Sequence, residues 1–270
     1  RLCNTSINSI ITDDIKCILP TCLDYDFSQA PERNPDYFYP LGLRLDPEEK
    51  VKFIATGLPP YRDLIEGSRR ALQNVANANK HFPKTIRATN QFLKPLGLRV
   101  KNVTLFISDS NTTSTTIHCD GTYDNNNQPA VLEARLSYYE IADAPGAIRW
   151  WDQLPIKITE IPAEKVDSNV IAKIIPTSWV VPSSPSRVQV IADWATDLQQ
   201  RKITWADIPE PAFSVVSSCS SAILRTNKHH HVIQGDGVRV TVSCQLVFLN
   251  GDPTGVWDHV QNNIHLLSSF

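Results

Sequence analysis

The sequence predicts a mainly β protein with flanking helices, its strands wound into a double-stranded β-helix (jelly-roll) barrel, and three observations carry that expectation. From about residue 98 the apolar residues recur at a period near 2 instead of 3.6, in LRVKNVTLFISD, STTIH, AVLEARLSYY and GAIRWW. Clusters of Gly, Asn, Asp and Pro, above all GTYDNNNQP, separate these runs as loops separate antiparallel strands. The pattern returns at the end of the chain, in FSVVSSCS, AILRTN and GVRVTVSCQLVF. Helices packed on an antiparallel double-sheet barrel satisfy all three.

Prolines at positions 20, 31, 35 and 40 break residues 1–45 into an irregular, wrapping segment. Asp46 ahead of PEEKVKFIAT reads as a helix start, with a capping carboxylate, Pro47 at the first helical position and Glu48 and Glu49 in the first turn. In PPYRDLIEGSRRALQNVANANKHF, the residues Tyr61, Leu64, Ile65, Ser68, Leu72, Val75 and Ala76 share one face at helical spacing. Residues 152–210 are mixed, with AEKVDSNVIAKII readable as a short helix and TSWVVP as a strand. KHHHVIQGDG lies between the last two strand runs, and its Gly-Asp-Gly is a hairpin turn signal. No repeat, low-complexity tract or long linker divides the chain. Residues 1–97 are therefore read as a wrapping segment and helices packed on the barrel. Residues 98–270 are read as the jelly-roll core, with an insertion at about 152–205, all in one structural domain.

With 270 residues, 41% of them hydrophobic and 20% charged, and a net charge of −2, the composition is that of a soluble globular protein. So even a balance gives no electrostatic footprint for nucleic acid or a membrane surface. No apolar run reaches the roughly 18 residues of a membrane span, and RLCNTSINSI lacks a signal-peptide pattern, so a cytoplasmic protein is the expectation. Cys3, Cys17, Cys22, Cys119, Cys219 and Cys244 include no C-x-x-C pair and suggest neither a zinc ribbon nor a dense disulfide framework. Reduced thiols are expected, with one bridge among Cys3, Cys17 and Cys22 as the alternative. Sequons at Asn4, Asn102 and Asn111 are close to the chance yield and do not imply secretion. Methionine is absent, and nothing physical accounts for it.

The chemistry begins at STTIHCDGTYDN. Residues i and i+2 of a strand project to one face, so His118 and Asp120 stand side by side while Cys119 faces away. A third ligand from the histidines at 229–231 completes a set of two imidazoles and one carboxylate. Such a set holds one face of iron(II) and leaves the other positions open.

These residues also carry a resemblance to the iron(II)/2-oxoglutarate-dependent dioxygenase superfamily. HCDGTYDNNNQPAVLEARLSYYE is similar to members in which H-x-D-G runs on into the next strand. AILRTNKHHHVIQGDGVRVTVSCQLVF is similar to a second block, in which threonine precedes the ligand histidine by four positions, valine follows it by two and arginine by nine. The match falls on Thr226, His230, Val232 and Arg239, and the resemblance covers roughly residues 98–152 and 210–249. It implies that His118, Asp120 and His230 bind Fe(II) as the catalytic centre. It further implies that Arg239 receives the distal carboxylate of 2-oxoglutarate in its bidentate fork, with Thr241 on the same strand face adding a hydroxyl and Ser243 next along. The implied partners are 2-oxoglutarate as co-substrate, molecular oxygen, and a small-molecule or side-chain substrate that is hydroxylated with release of succinate and carbon dioxide. A hairpin at the Gly-Asp-Gly turn would bring His230 and Arg239 to one barrel mouth. Two features depart from the family's pattern: the long separation of His118 and His230, which needs the insertion, and His229 where proline is common.

Ordinary readings stand beside these. A lone His-x-Asp pair is commonly a surface or hydrogen-bonded pair, three histidines in a row a solvated loop, and Arg239 an ordinary strand arginine. Tyr138, Trp150 and Trp151 read as core or rim residues, with substrate contact as the alternative. Glu133 and Arg135 face one side and read equally as an ion pair, and Cys119 as a small buried residue. The competing function is a non-catalytic jelly-roll structural or viral protein with a vestigial metal site. A zinc hydrolase on the same ligands is disfavoured for want of a general base beside the pair. Substrate specificity is expected in the insertion.

Overall fold

The computed structural model describes residues 33–61, 78–108, 119–123, 129–152, 158–162, 179–184, 187–191, 210–233 and 237–267. It is mainly antiparallel β with few helices, as the sequence predicts. One sheet has five strands in the order β1 (Phe38–Leu41), β11 (Ser221–Arg225), β5 (Ala134–Ala142), β13 (Arg239–Phe248) and β2 (Leu98–Ser108). A second has three, β10 (Phe213–Val216), β6 (Ala147–Trp151) and β12 (His229–Ile233). β3 (Gly121–Tyr123) pairs with β4 (Pro129–Val131), and β7 (Ile158–Pro162), β9 (Arg187–Ile191) and β8 (Trp179–Ser184) form a small sheet within the predicted insertion. The described part of TSWVVP, from Trp179 on, is thus strand, as expected, whereas AEKVDSNVIAKII lies outside the described residues.

The five-stranded sheet is covered on both faces. Along β13 the residues Val240, Val242, Cys244 and Leu246 join a core with Phe53, Phe82, Leu93 and Trp257 from the helical segments. The opposite face meets the three-stranded sheet, through Phe38, Tyr139, Ala222 and Leu224 packed with Ile148, Trp150 and Val215. All of β5 is buried for this reason. Ile141 pairs with Val240 but Tyr138 with Val242, so Tyr139 and Glu140 together stand opposite Thr241. This bulge shifts the alternation by one, and Tyr138 and Ile141 both enter the helix-side core.

Helix α1 (Pro47–Lys52) starts where Asp46 predicts, its carboxylate accepting from the amides of Glu48 and Glu49 at 3.1 Å each. Such a cap is worth about 1 kcal/mol. Helix α2 (Pro83–Leu93) has no side-chain cap of its own. Glu49 supplies one from α1, accepting from the amides of Lys84 and Thr85. The buried face of α2 is Thr85, Thr89 and Leu93, too polar to register as an apolar stripe, and Thr89 Oγ1 meets the Tyr138 hydroxyl at 2.7 Å. Helix α3 (Val256–Asn263), also unanticipated, buries Val256, Trp257 and Val260 on the same sheet face. Most of the helix predicted over residues 59–82 falls outside the described residues, which retain its start and a 3₁₀ turn at Ala78–His81.

Two expectations are corrected. Residues 38–41 are not irregular: β1 is an edge strand with Phe38 and Tyr39 buried, and Pro40 is tolerated because an edge strand leaves one row of amides unpaired. Nor does the Gly-Asp-Gly turn close a hairpin. β12 and β13 belong to different sheets, and Gly237, just ahead of β13, has φ +76. Among the described residues no helix is long and apolar enough to cross a membrane.

Candidate metal and anion site

β12 is extended, and His230 and Val232 pair with Trp150 and Ile148, residues of the inter-sheet cluster. Cross-strand partners share a face, so His230 looks into the space between the sheets and His229 and His231 alternate away from it. His230 is buried, and its Nδ1 lies 2.9 Å from the carbonyl of Lys228. A carbonyl only accepts, so Nδ1 carries a proton, and in the neutral ring Nε2 is the nitrogen that presents a lone pair.

Nε2 is directed toward Asp120, whose Oδ1 stands 3.8 Å away. Asp120 sits on no strand and is held by its backbone: its amide donates to the Thr226 carbonyl at 2.8 Å, and its carbonyl accepts from Leu132 at 3.0 Å. Thr226 completes the clamp, donating its hydroxyl to the Leu132 carbonyl at 2.7 Å and its amide to Glu133 at 2.9 Å. The threonine four residues ahead of the histidine therefore joins the Asp120 segment to the root of β12.

The second oxygen of Asp120 is bound by Nε of Arg135 on β5, and both side chains are buried. This corrects the pairing of Arg135 with Glu133, which instead accepts from the amide of Trp257 at 3.1 Å. Sequence offered no sign of the pair, because the partners are brought together by the return of β5 beneath the Asp120 loop.

A carboxylate oxygen and an imidazole nitrogen, each roughly 2.1 Å from a shared ion, lie between about 3.0 and 4.2 Å apart. The 3.8 Å separation of Asp120 and His230 fits. His118 lies outside the described residues, and among those described no group of three candidate ligands gathers. Two of the three predicted ligands are thus adjacent.

Arg239 and Thr241 lie on β13 facing the three-stranded sheet, since Val240 and Val242 face the helices. Arg239 is 4% exposed. Its Nη1 donates to the Ile233 carbonyl at 3.4 Å, its Nη2 to Ser217 Oγ at 3.3 Å, and its guanidinium stands 5.7 Å from the Tyr139 ring centre. Burial holds its pKa below the ordinary guanidinium value, and burial drives that of Tyr139 well up. Among the described residues no carboxylate pairs with Arg239. Gly146 makes room for it: a Cβ there would collide with Nη1 and with the Ile233 carbonyl. Ser217, Tyr139 and Gly146 carry no motif and were not singled out from sequence.

Of the remaining candidates, Ser243 Oγ is 2.8 Å from Ser137 Oγ and so is already engaged within the sheet. Tyr138 faces the helices, which removes it as a substrate contact. Trp150 is core, its indole donating to the Arg225 carbonyl and its ring stacked on Phe213 and tilted against Tyr37. Trp151 and Cys119 are buried. β8 of the insertion runs beside β3 and β4, the strand pair that begins directly after Asp120.

No protein-family model matches the chain, and no curated protein matches it. Among solved structures it is similar to HygX from Streptomyces hygroscopicus, a crystal structure with nickel and 2-oxoglutarate bound, with a TM-score of 0.36 and 10% sequence identity over 87% of this chain and 86% of that one.

Proposed function

We propose that the protein is an iron(II)- and 2-oxoglutarate-dependent oxygenase that hydroxylates a small-molecule or side-chain substrate, releasing succinate and carbon dioxide. In this reading the two sheets belong to a double-stranded β-helix. The observation that carries it is Arg239, a buried guanidinium without a carboxylate partner among the described residues. An isolated buried charge costs several kcal/mol, which an anionic ligand offsets. Among the described residues two of its five N–H donors are engaged, by Ile233 and Ser217, which leaves three for a carboxylate.

Asp120 and His230, with His118, are the metal ligands. Arg135 fixes the Asp120 carboxylate and the Lys228 carbonyl fixes the His230 tautomer, so both donors are oriented before an ion arrives. Arg239 and Thr241 orient the co-substrate by its far end, and the aromatic and aliphatic cluster between the sheets keeps water out. The metal and co-substrate, when bound, supply the oxidising chemistry.

Anaerobic titration with iron(II) and 2-oxoglutarate tests this, by the visible charge-transfer absorbance of the chelate. The band is expected in the native protein, lost in His230→Ala, and at least about tenfold weaker in apparent affinity for 2-oxoglutarate in Arg239→Gln. Folded native protein that gives no band would return the chain to the non-catalytic class.

A further inference from the structure

Arg135 is not fully used by Asp120. Its Nε is on the carboxylate, yet Nη1 is buried and, among the described residues, has no hydrogen-bond partner. The guanidinium lies over the Phe106 ring at 5.5 Å, on the face of the sheet that also carries Arg239, Thr241 and Ser243. An orphaned charged donor at this depth costs more than a neutral one.

Charge points to what fills the gap. If the site binds as proposed above, on which this inference rests, iron(II), Arg239 and Arg135 bring four positive charges, and Asp120 and dianionic 2-oxoglutarate bring three negative ones. One positive charge is left over among the described groups, and its open donor is Nη1 beside Asp120. Apolar substrates would leave it unmet.

We infer that Arg135 is a second anion anchor, its Nη1 receiving a carboxylate carried by the substrate while its Nε holds Asp120. The substrate class is then acidic: a free carboxylic acid, or a side chain or terminus bearing one. The acid group sits next to the metal ligand, so oxidation falls within a few bonds of the carboxylate.

The test uses the full chain loaded with zinc(II), which supports no turnover, and 2-oxoglutarate, with thermal unfolding as the readout. The probes are formate and benzoate, with formamide and benzamide as uncharged counterparts. Saturating carboxylate is expected to raise Tm by about 4 °C and the amides by none. Arg135→Gln, whose amide still donates to Asp120, is expected to abolish the shift, and Arg135→Lys to keep part of it. Equal response to acid and amide in the native protein, no response to either, or a shift that survives Arg135→Gln would each overturn the inference. A carboxylate shift seen only without 2-oxoglutarate would assign Nη1 to the co-substrate and overturn it too. Failure of the underlying oxygenase reading looks different: 2-oxoglutarate itself then stabilises nothing, and Arg239→Gln changes nothing.

Discussion

Oδ1 of Asp120 stands 3.8 Å from Nε2 of His230, across the space between the two sheets. The other oxygen is tied to β5 by Arg135, so a chain of three side chains runs from the five-stranded sheet to the three-stranded one. The site is thereby built into the packing of the sheets.

Breaking that chain has a cost in the metal-free protein. Asp120→Ala leaves Arg135 buried and uncompensated, with its partner's side chain only 7% exposed beforehand, and is expected to destabilise by about 3–5 kcal/mol. Arg135→Met in the same background should recover part of the loss. Urea unfolding of the two single variants and the double measures the coupling, and strict additivity would contradict a buried pair.

The Thr226 hydroxyl donates to the carbonyl of Leu132, the residue whose amide holds the Asp120 carbonyl, and so braces the Asp120 segment against the root of β12. Thr226→Val is expected to cost about 1–2 kcal/mol and to weaken cobalt(II) binding by roughly 10- to 100-fold, whereas Thr226→Ser retains both. Calorimetric titration compares them; unchanged metal affinity in the valine variant would separate the clamp from the site.

Gly146→Ala pushes a methyl group against Arg239 and the Ile233 carbonyl. We expect 2-oxoglutarate affinity to fall more than about tenfold while cobalt(II) affinity holds, because the metal ligands lie elsewhere. A variant that binds both normally would show that the guanidinium has room to move.

Cys219 and Cys244 are buried, and burial pushes each thiol up to about 12. At pH 8 roughly one in ten thousand of either is thiolate. Iodoacetamide should leave both unmodified in the native protein and label both in urea, as read by mass spectrometry of their peptides. Rapid native labelling would refute the buried placement.

Burial raises the pKa of Glu140, an effect that the Leu45 amide, Lys50 and Arg44 partly offset. The folded state then binds this proton more tightly than the unfolded state. Stability is therefore lost as pH rises through the folded value and regained on acidification toward the ordinary carboxylate range. Relative to Glu140→Gln, the native protein should gain stability as pH falls from 7 toward 4.5. Denaturant midpoints at several pH values read the difference, and a gap that is flat or of opposite sign would reject it.

Period-2 runs and turn clusters in the sequence determined the β class and the shared face of Arg239, Thr241 and Ser243, and the Asp-Pro-Glu-Glu run determined the cap at Asp46, because these depend on local geometry alone. Among the three histidines only the family resemblance picked out His230, and alternation in β12 turns that residue toward the space between the sheets. Tertiary structure decided the rest. A Gly-Asp-Gly turn looks the same whether its strands pair or part, and only the packing sends β12 and β13 to different sheets. Helix α2 takes its cap from Glu49 and buries threonines that meet Tyr138, partners remote in sequence. Arg135 looked bound for Glu133, two residues away, and found Asp120 instead. Where a charged side chain ends up is set by what desolvation leaves within reach, and that is a property of the folded chain.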